Sequence, residues 1–175
     1  MISDSQQTGG THAGVRILLV IGGGGFMEES LALLEQIRHR CKTIVVSSED
    51  CASVLQGRCA VPVTDTLPPL TLRSRGRLFS LRSLLAGLLA ARRIMKRHQP
   101  DMVVCLGSSL ALPVFLQAKI RRRTPTVFIE SITRSERPST TALLLQRLHL
   151  TDHMLMQWPE LCDQLPGSRY EGTIL

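Results

Sequence analysis

The sequence has few aromatic residues, no closely spaced cysteine pair and no apolar run long enough to cross a bilayer. Aromatic residues make up 3% of the chain, with a single Trp and a single Tyr, so a nucleic-acid site built on base stacking is not expected. The five cysteines include no Cys-x-x-Cys pair and no regular framework, which argues against a disulfide scaffold and a zinc site. We therefore expect reduced, buried thiols, no metal and no cofactor.

The amino-terminal residues 1–14 are polar and lack both the charged and the apolar region of a secretory signal. We expect them to be a disordered leader. Residues 15–175 are long enough to bury a proper core, and we expect a single domain over this range. Because neither a signal nor a span is present, we expect a cytoplasmic protein whose membrane contact is peripheral.

Apolar runs alternate with helical patterns along the rest of the chain. Continuous apolar runs predict strands at residues 17–21, 44–46, 102–106, 127–129 and 154–156. Helical patterns lie at residues 28–40, 79–98, 110–120 and 140–148. Prolines mark residues 61–71 as a loop. The alternation predicts an α/β fold, a Rossmann-like and mostly parallel sheet with helices on both faces.

Positive charge is concentrated in the longest predicted helix. The chain carries a formal net charge of +7, and no acidic residue lies between Arg73 and Arg97. The apolar run at residues 84–91 is far shorter than the ~20 residues that a bilayer-spanning helix needs. Such a helix fits an anionic membrane surface, and the alternative is a core helix with solvated ends. The cations expected at the membrane are Arg82, Arg92, Arg93, Lys96 and Arg97.

Four consecutive glycines, Gly22, Gly23, Gly24 and Gly25, follow the first predicted strand. Consecutive glycines let the backbone approach a ligand, and the next helix would direct its N–H groups at a phosphate or diphosphate. The dinucleotide fingerprint is only half met, because Met27 stands where its third glycine should be. A tight strand-to-helix turn without a ligand is the alternative.

Polar side chains follow two other predicted strands. Ser108 comes after the strand at residues 102–106, where capping of the next helix is an alternative to ligand binding. Glu130, Ser131 and Arg134 come after the strand at residues 127–129. The carboxyl ends of parallel strands border the ligand crevice, where a carboxylate can accept a proton and an arginine can pair with phosphate. A solvated loop with local ion pairs is the alternative.

The order of these elements resembles a known family. The glycine loop is followed by Gly107-Ser108-Ser109, by Phe128-Ile129-Glu130-Ser131 with Arg134, and by Gln157-Trp158-Pro159-Glu160-Leu161. This order is similar to that of the acceptor and membrane-recruiting subunit of two-subunit GT-B glycosyltransferases. That family includes the asparagine-linked glycosylation protein fourteen of eukaryotes and accessory subunits of bacterial exopolysaccharide and capsule enzymes. The resemblance covers nearly the whole chain after Gly14.

The resemblance implies a chain equivalent to the N-terminal half of a GT-B glycosyltransferase. It implies a smaller catalytic partner that supplies the C-terminal half, a UDP-sugar at the shared cleft and no activity without the partner. It implies a polyprenyl-diphosphate-linked sugar as the acceptor, in bacterial exopolysaccharide biosynthesis at the inner face of the plasma membrane. The competing hypothesis is a free-standing Rossmann-like protein that binds a phosphorylated ligand or nucleic acid.

The resemblance also implies roles for single residues. Glu130 is the predicted catalytic residue, and Trp158 and Glu160 are predicted to contact the partner, with core packing as the alternative for Trp158. Family members commonly carry a histidine directly after the glycine loop, where this chain has Phe26. The eukaryotic relatives also carry an amino-terminal membrane-spanning helix, which this sequence lacks. The residues predicted to bind the acceptor are Gly22, Gly23, Gly24, Gly25, Ser108, Ser131 and Arg134.

Overall fold

The computed structural model describes residues 14–70, 81–121 and 124–175. Most of the predicted leader and the start of the predicted helix at residues 79–98 lie outside the described residues. The strands are β1 (Arg16–Ile21), β2 (Lys42–Ser48), β3 (Val63–Leu67), β4 (Met102–Leu106), β5 (Thr126–Ile129), β6 (His153–Met156) and β7 (Arg169–Tyr170). The helices are α1 (Phe26–Ile37), α2 (Glu49–Leu55), α3 (Leu81–His98), α4 (Ala111–Arg121) and α5 (Thr140–Arg147), and a 3-10 turn spans Pro159–Leu161.

The strands described here form one sheet in the order β3-β2-β1-β4-β5-β6-β7. All neighbouring strands run parallel. The chain builds the sheet outward from β1 to β3 and then returns to add β4 on the other side of β1. This reversal is the topological switch point, and a ligand crevice is expected there, at the carboxyl ends of the strands.

Helices cover both faces of the sheet, which explains the continuous apolar runs of its central strands. Leu18 and Val20 of β1 pack with residues of α3, α4 and α5 on one face. Leu19 and Ile21 of the same strand pack with residues of α1 and α2 on the other face. The side chains of these four residues are fully buried. The predicted Rossmann-like fold with two covered faces is therefore confirmed.

Three elements were not expected from the sequence. The prediction of a loop at residues 61–71 is wrong, because residues 63–67 form the edge strand β3 beside β2. Polar Thr64 and Thr66 are exposed while Leu67 is buried, so the strand has the alternating pattern of an edge and not a continuous apolar run. Helix α2 and the two-residue strand β7 were also missed, because both are too short to show a periodic pattern.

The five cysteines are all free. Cys105 is fully buried on β4, and this burial raises the pKa of its thiol to about 12. The other four are partly exposed, so the expectation of buried thiols is correct only for Cys105. Within the described ranges, no three His, Cys, Asp or Glu side chains cluster in a way that could hold a metal ion.

Asp152 joins the starts of β5 and β6. Its carboxylate accepts hydrogen bonds from the backbone N–H of Thr126 at 2.8 Å and from the Thr126 hydroxyl at 3.0 Å. The Lys119 ammonium of α4 donates to the other carboxylate oxygen. Burial by itself raises the pKa of Asp152, but the hydrogen bonds from Lys119 and Thr126 outweigh it, and the pKa lies below its usual value.

We expect the Asp152 carboxylate to make the free energy of unfolding depend on pH in the acidic range. A pKa that is lower in the folded chain contributes stability above the unfolded value of about 3.9, and this contribution is lost as the pH falls through the folded value. Asp152→Asn should therefore flatten the loss of unfolding free energy below about pH 4, measured by urea unfolding at a series of pH values. Asp163, which is exposed, supplies the control Asp163→Asn, and a wild-type slope in Asp152→Asn would contradict the assignment.

Candidate functional site

The loops after β1 and β4 pack so closely that only glycine fits at two positions. A Cβ atom on Gly22 would collide with the Ser108 side chain in the loop after β4. Gly107 has a φ of +60°, and a Cβ atom there would lie 2.5 Å from the Phe26 ring. The loops after β1 and β4 are therefore held against each other by steric fit. For Gly22, close packing is sufficient reason for a glycine.

These loops and the start of α2 enclose a cleft of about 330 Å³. The polar residues in its described lining are Ser48, Ser108, Ser109 and Asp50. Hydroxyl and carboxylate side chains of this kind can hydrogen-bond the hydroxyl groups of a sugar. The described lining residues are Gly23, Gly24, Phe26, Ser48, Asp50, Cys51, Pro69, Leu70, Ser108, Ser109 and Leu110.

The predicted glycine and serine residues take different positions around this cleft. Gly22 is buried beneath it, Gly23 and Gly24 line it, and Gly25 begins α1 beside it. Ser108 is 6% exposed, and its hydroxyl accepts a hydrogen bond from the Leu110 N–H at 3.2 Å. Leu110 lies just before α4, which begins at Ala111, so this bond closes a turn before the helix, and Ser108 also lines the cleft.

Beside the cleft, the buried carboxylate of Glu29 connects three separate segments of the chain. Glu29 lies in the first turn of α1 and is 1% exposed. It accepts hydrogen bonds from the Ser131 hydroxyl at 2.5 Å, from the Ile132 N–H at 3.0 Å and from the Gln157 amide at 2.6 Å. In the described part of the chain it has no cationic partner. Its charge is therefore stabilised by hydrogen bonds from the loops after β5 and β6.

Glu130 is fully buried immediately after β5. One carboxylate oxygen accepts from the Ser139 N–H at 2.7 Å, and the other accepts from the Ser131 N–H at 3.1 Å. Ser139 is the N-cap of α5, so Glu130 connects the end of β5 to the start of α5. These contacts fix the loop between the two elements. Its predicted catalytic role stays a prediction, as does acceptor binding by Ser131, which is also fully buried.

The exposed part of the same loop carries the arginines. Residues 133–137 line a second cavity of about 430 Å³, which includes Arg134 and Arg137. The loop lies next to the glycine loop, since a Cβ atom on Gly25 would be 4.0 Å from the Thr133 methyl group. The two cavities are thus neighbours at the carboxyl edge of the sheet, one lined by hydroxyl groups and the other containing two guanidinium groups.

Trp158 and Glu160 lie at this same edge. Trp158 is 37% exposed, and its indole N–H donates to the Ile132 carbonyl at 2.6 Å. The contact holds the ring against the loop after β5 and leaves part of it in solvent, so Trp158 is not a core residue. Glu160 in the 3-10 turn is exposed.

The outer face of α3 combines apolar and basic side chains. Leu85 is 52% exposed and Leu89 is 57% exposed, although both are large apolar residues. Arg97 is also exposed, but its guanidinium pairs with Asp65 of β3 at 3.3 Å. The remaining exposed cations on this face, which complete the predicted set, are Arg82, Arg92, Arg93 and Lys96.

Sequence reasoning missed Glu29 and Asp50. Glu29 stands beside the exposed Glu28 in one helical turn, and nothing in the sequence distinguishes the buried carboxylate from the exposed one. Asp50 had a usable signal, because it follows a strand end as Glu130 does. That signal was lost because the strand at residues 44–46 was predicted too short and α2 was not predicted at all.

Solved structures place the fold in a definite class. MurG of Acinetobacter baumannii superposes with a TM-score of 0.65 at 18% identity, over 84% of this chain and 43% of that chain. The UDP-GlcNAc 2-epimerase of Neisseria meningitidis bound to UDP-GlcNAc superposes with a TM-score of 0.68 at 12% identity, over 91% of this chain and 47% of that chain. This chain spans less than half the length of either protein. Its fold is equivalent to the N-terminal, Rossmann-like half of a GT-B glycosyltransferase.

Within that class, the chain belongs to the family described as "Oligosaccharide biosynthesis protein Alg14 like", which it matches over residues 17–174. The UDP-N-acetylglucosamine transferase subunit ALG14 of Yarrowia lipolytica is 24% identical over 94% of this chain and 83% of the relative. The protein of the same name from Mus musculus is 28% identical over 92% of this chain and 83% of the relative. The family expected from the sequence is confirmed.

We expect Glu29 and its neighbour Glu28 to differ sharply in their contribution to stability. Glu29→Ala removes the acceptor of three hydrogen bonds, two of them from buried side chains, and should lower the free energy of unfolding by about 3 kcal/mol. Glu28 is 60% exposed and pairs with Arg58 at the surface, so Glu28→Ala should cost only about 0.5 kcal/mol. Equal losses in urea unfolding of the two variants would contradict the proposed importance of the buried network.

Proposed function

We propose that this chain is the acceptor-binding subunit of a two-component inverting glycosyltransferase. In this proposal it binds a polyprenyl-diphosphate-linked sugar and recruits a smaller catalytic subunit to the membrane, in bacterial exopolysaccharide biosynthesis. The observation that carries the proposal is a fold equivalent to one half of a GT-B enzyme, in a chain of the Alg14-like family. This fold has a cleft with polar lining residues at the carboxyl edge of its sheet. The names of its relatives, which are UDP-N-acetylglucosamine transferase subunits, support both the reaction class and the need for a partner.

The fold and the names of the relatives together support a partner. A GT-B enzyme uses two Rossmann-like domains, and its reaction takes place in the cleft between them. This chain supplies one such sheet, and we propose that a second protein supplies the domain that binds most of the UDP-sugar. Exposed Trp158 and Glu160 border the carboxyl edge of the sheet and are positioned to contact that partner. A partly exposed indole with its N–H already bonded has the properties of an interface anchor.

The two neighbouring cavities suggest how the acceptor binds. We place its sugar in the cleft beside Gly23, Gly24 and Ser108, where hydroxyl groups meet polar side chains. Its diphosphate fits the loop cavity, where Arg134 can form bidentate charge-assisted hydrogen bonds. The start of α1 is a weaker anion site, since Glu28 and Glu29 stand in its first turn. Glu130 and Ser131 then act by holding the arginine loop in place.

The outer face of α3 is the proposed membrane contact. None of the described helices is long and apolar enough to span a bilayer. Exposed Leu85 and Leu89 can enter the headgroup region while neighbouring cations meet anionic lipid. Helix α3 connects the parallel strands β3 and β4, so it runs from the carboxyl edge of the sheet to the amino edge. Its first turns therefore lie at the same edge as the cleft. Arg82 and Leu85 are then at the cleft end of the helix, and Arg92, Arg93 and Lys96 extend the contact toward its other end. The proposed membrane is the inner face of the plasma membrane.

Sugar transfer with and without the partner tests the central proposal. The chain should be purified alone and after co-expression with a candidate partner that resembles the missing half. We expect transfer from a UDP-sugar to a polyprenyl-diphosphate-linked sugar only in the complex, because the chain alone lacks half of the cleft. The partner alone is the matching control. Robust transfer by this chain in isolation would refute the two-component proposal.

Cosedimentation with vesicles tests the membrane contact. We expect the triple variant Arg92→Gln, Arg93→Gln, Lys96→Gln to bind anionic phosphatidylglycerol vesicles roughly 100-fold more weakly, since each cation near the surface contributes about 1 kcal/mol. The matched control neutralises three exposed cations away from α3, by Arg40→Gln, Lys42→Gln and Arg169→Gln. If both triple variants lose the same affinity, net charge and not this face causes binding.

A further inference from the structure

The proposed reaction needs a group that removes a proton from the acceptor's hydroxyl group. General bases require a basic atom with free lone pairs within hydrogen-bonding distance of that proton. Family members commonly carry a histidine after the glycine loop, but Phe26 occupies that position here, and its ring packs against Gly107. A hydrocarbon ring accepts no proton, so a base supplied by this chain has to be another residue of the cleft.

Most carboxylates near the carboxyl edge are already engaged. Glu29 is 1% exposed and accepts three hydrogen bonds, and Glu130 is fully buried and accepts two. Glu28 forms an ion pair with Arg58 at 2.6 Å. Glu136 lies in the arginine loop, outside the hydroxyl-lined cleft. None of these carboxylates presents free oxygen atoms to a sugar in the cleft.

Asp50 differs from them in position and in its contacts. It is exposed in the first turn of α2, directly after β2, and it lines the cleft beside Ser48 and opposite Ser108. Within the described residues its carboxylate has no hydrogen-bonding or ionic partner. The other titratable lining residue, Cys51, packs its thiol against Gly23. Among the described residues, Asp50 is therefore the carboxylate that lines the cleft without another partner.

We propose that Asp50 is the general base of the transfer reaction, an inference that rests on the function proposed above. The acceptor's hydroxyl oxygen attacks C1 of the UDP-sugar and forms the new glycosidic bond. The bond between C1 and the UDP oxygen breaks, and its electron pair leaves with UDP. The hydroxyl proton passes to the Asp50 carboxylate, which later releases it to solvent. Because the attack comes from the face opposite UDP, the configuration at C1 is inverted.

The test compares Asp50→Asn with Glu49→Gln in the complex with the catalytic partner. Both substitutions remove one negative charge from the first turn of α2, and both residues are exposed, so their effects on folding and on the surrounding field are matched. Glu49 does not line the cleft. We expect Asp50→Asn to lower kcat about 100-fold or more with KM within about threefold, and Glu49→Gln to stay near wild type. Tm and partner binding should be unchanged in both.

Other results overturn the assignment in distinguishable ways. A raised KM with intact kcat in Asp50→Asn makes Asp50 a sugar-binding residue and not a base. Equal losses in both variants indicate a general effect of charge at this turn. A fully active Asp50→Asn complex removes Asp50 from the mechanism but leaves the two-component function standing. If the wild-type complex transfers no sugar, both the proposed function and the role of Asp50 fail.

Discussion

The buried carboxylate of Glu29, which has no cationic partner among the described residues, organises the carboxyl edge of this sheet. Glu29 brings the first turn of α1 together with the loops that follow β5 and β6, through donors from Ser131, Ile132 and Gln157. A buried carboxylate is tolerable only when its oxygen atoms are saturated with donors, so each of these segments is held where the carboxylate needs it. Gln157 also donates to the Glu130 carbonyl and accepts from the Ile174 N–H, which extends the network to the end of the described chain.

Close packing at two glycines also fixes the loops after β1 and β4. Gly22 must be small because Ser108 packs onto it, and Gly107 must be small because the Phe26 ring covers it. The aromatic residue in place of the family's histidine is thus part of the packing between the loops after β1 and β4. We propose that the acid–base chemistry lies elsewhere, at Asp50, which lines the same cleft. The site consequently consists of buried residues that fix the loops, such as Glu29, and exposed residues that line the cleft, such as Asp50.

The proposed function uses three surfaces, which are the cleft, the arginine loop and the outer face of α3. The hydroxyl-lined cleft and the arginine loop adjoin each other at the carboxyl edge, and the exposed Trp158 borders the same edge. The basic and apolar face of α3 lies outside the core on one side of the sheet. The first turns of that helix lie at the same carboxyl edge as the cleft. This arrangement agrees with the two-component glycosyltransferase proposed above.

The layered α/β fold could be predicted from the sequence, because buried parallel strands require continuous apolar runs and their helices require a different period. The polar groups at the strand ends and the Alg14-like family could be predicted from it too. Which carboxylates are buried and which are free depends on how distant segments pack together. The sequence does not distinguish Glu29 from Glu28, although one is buried and the other exposed. The same holds for Glu130 and Asp50, because burial and hydrogen bonding depend on segments far away in the chain. The edge strand β3 was equally hidden, since pairing with β2 and not its own composition makes it a strand.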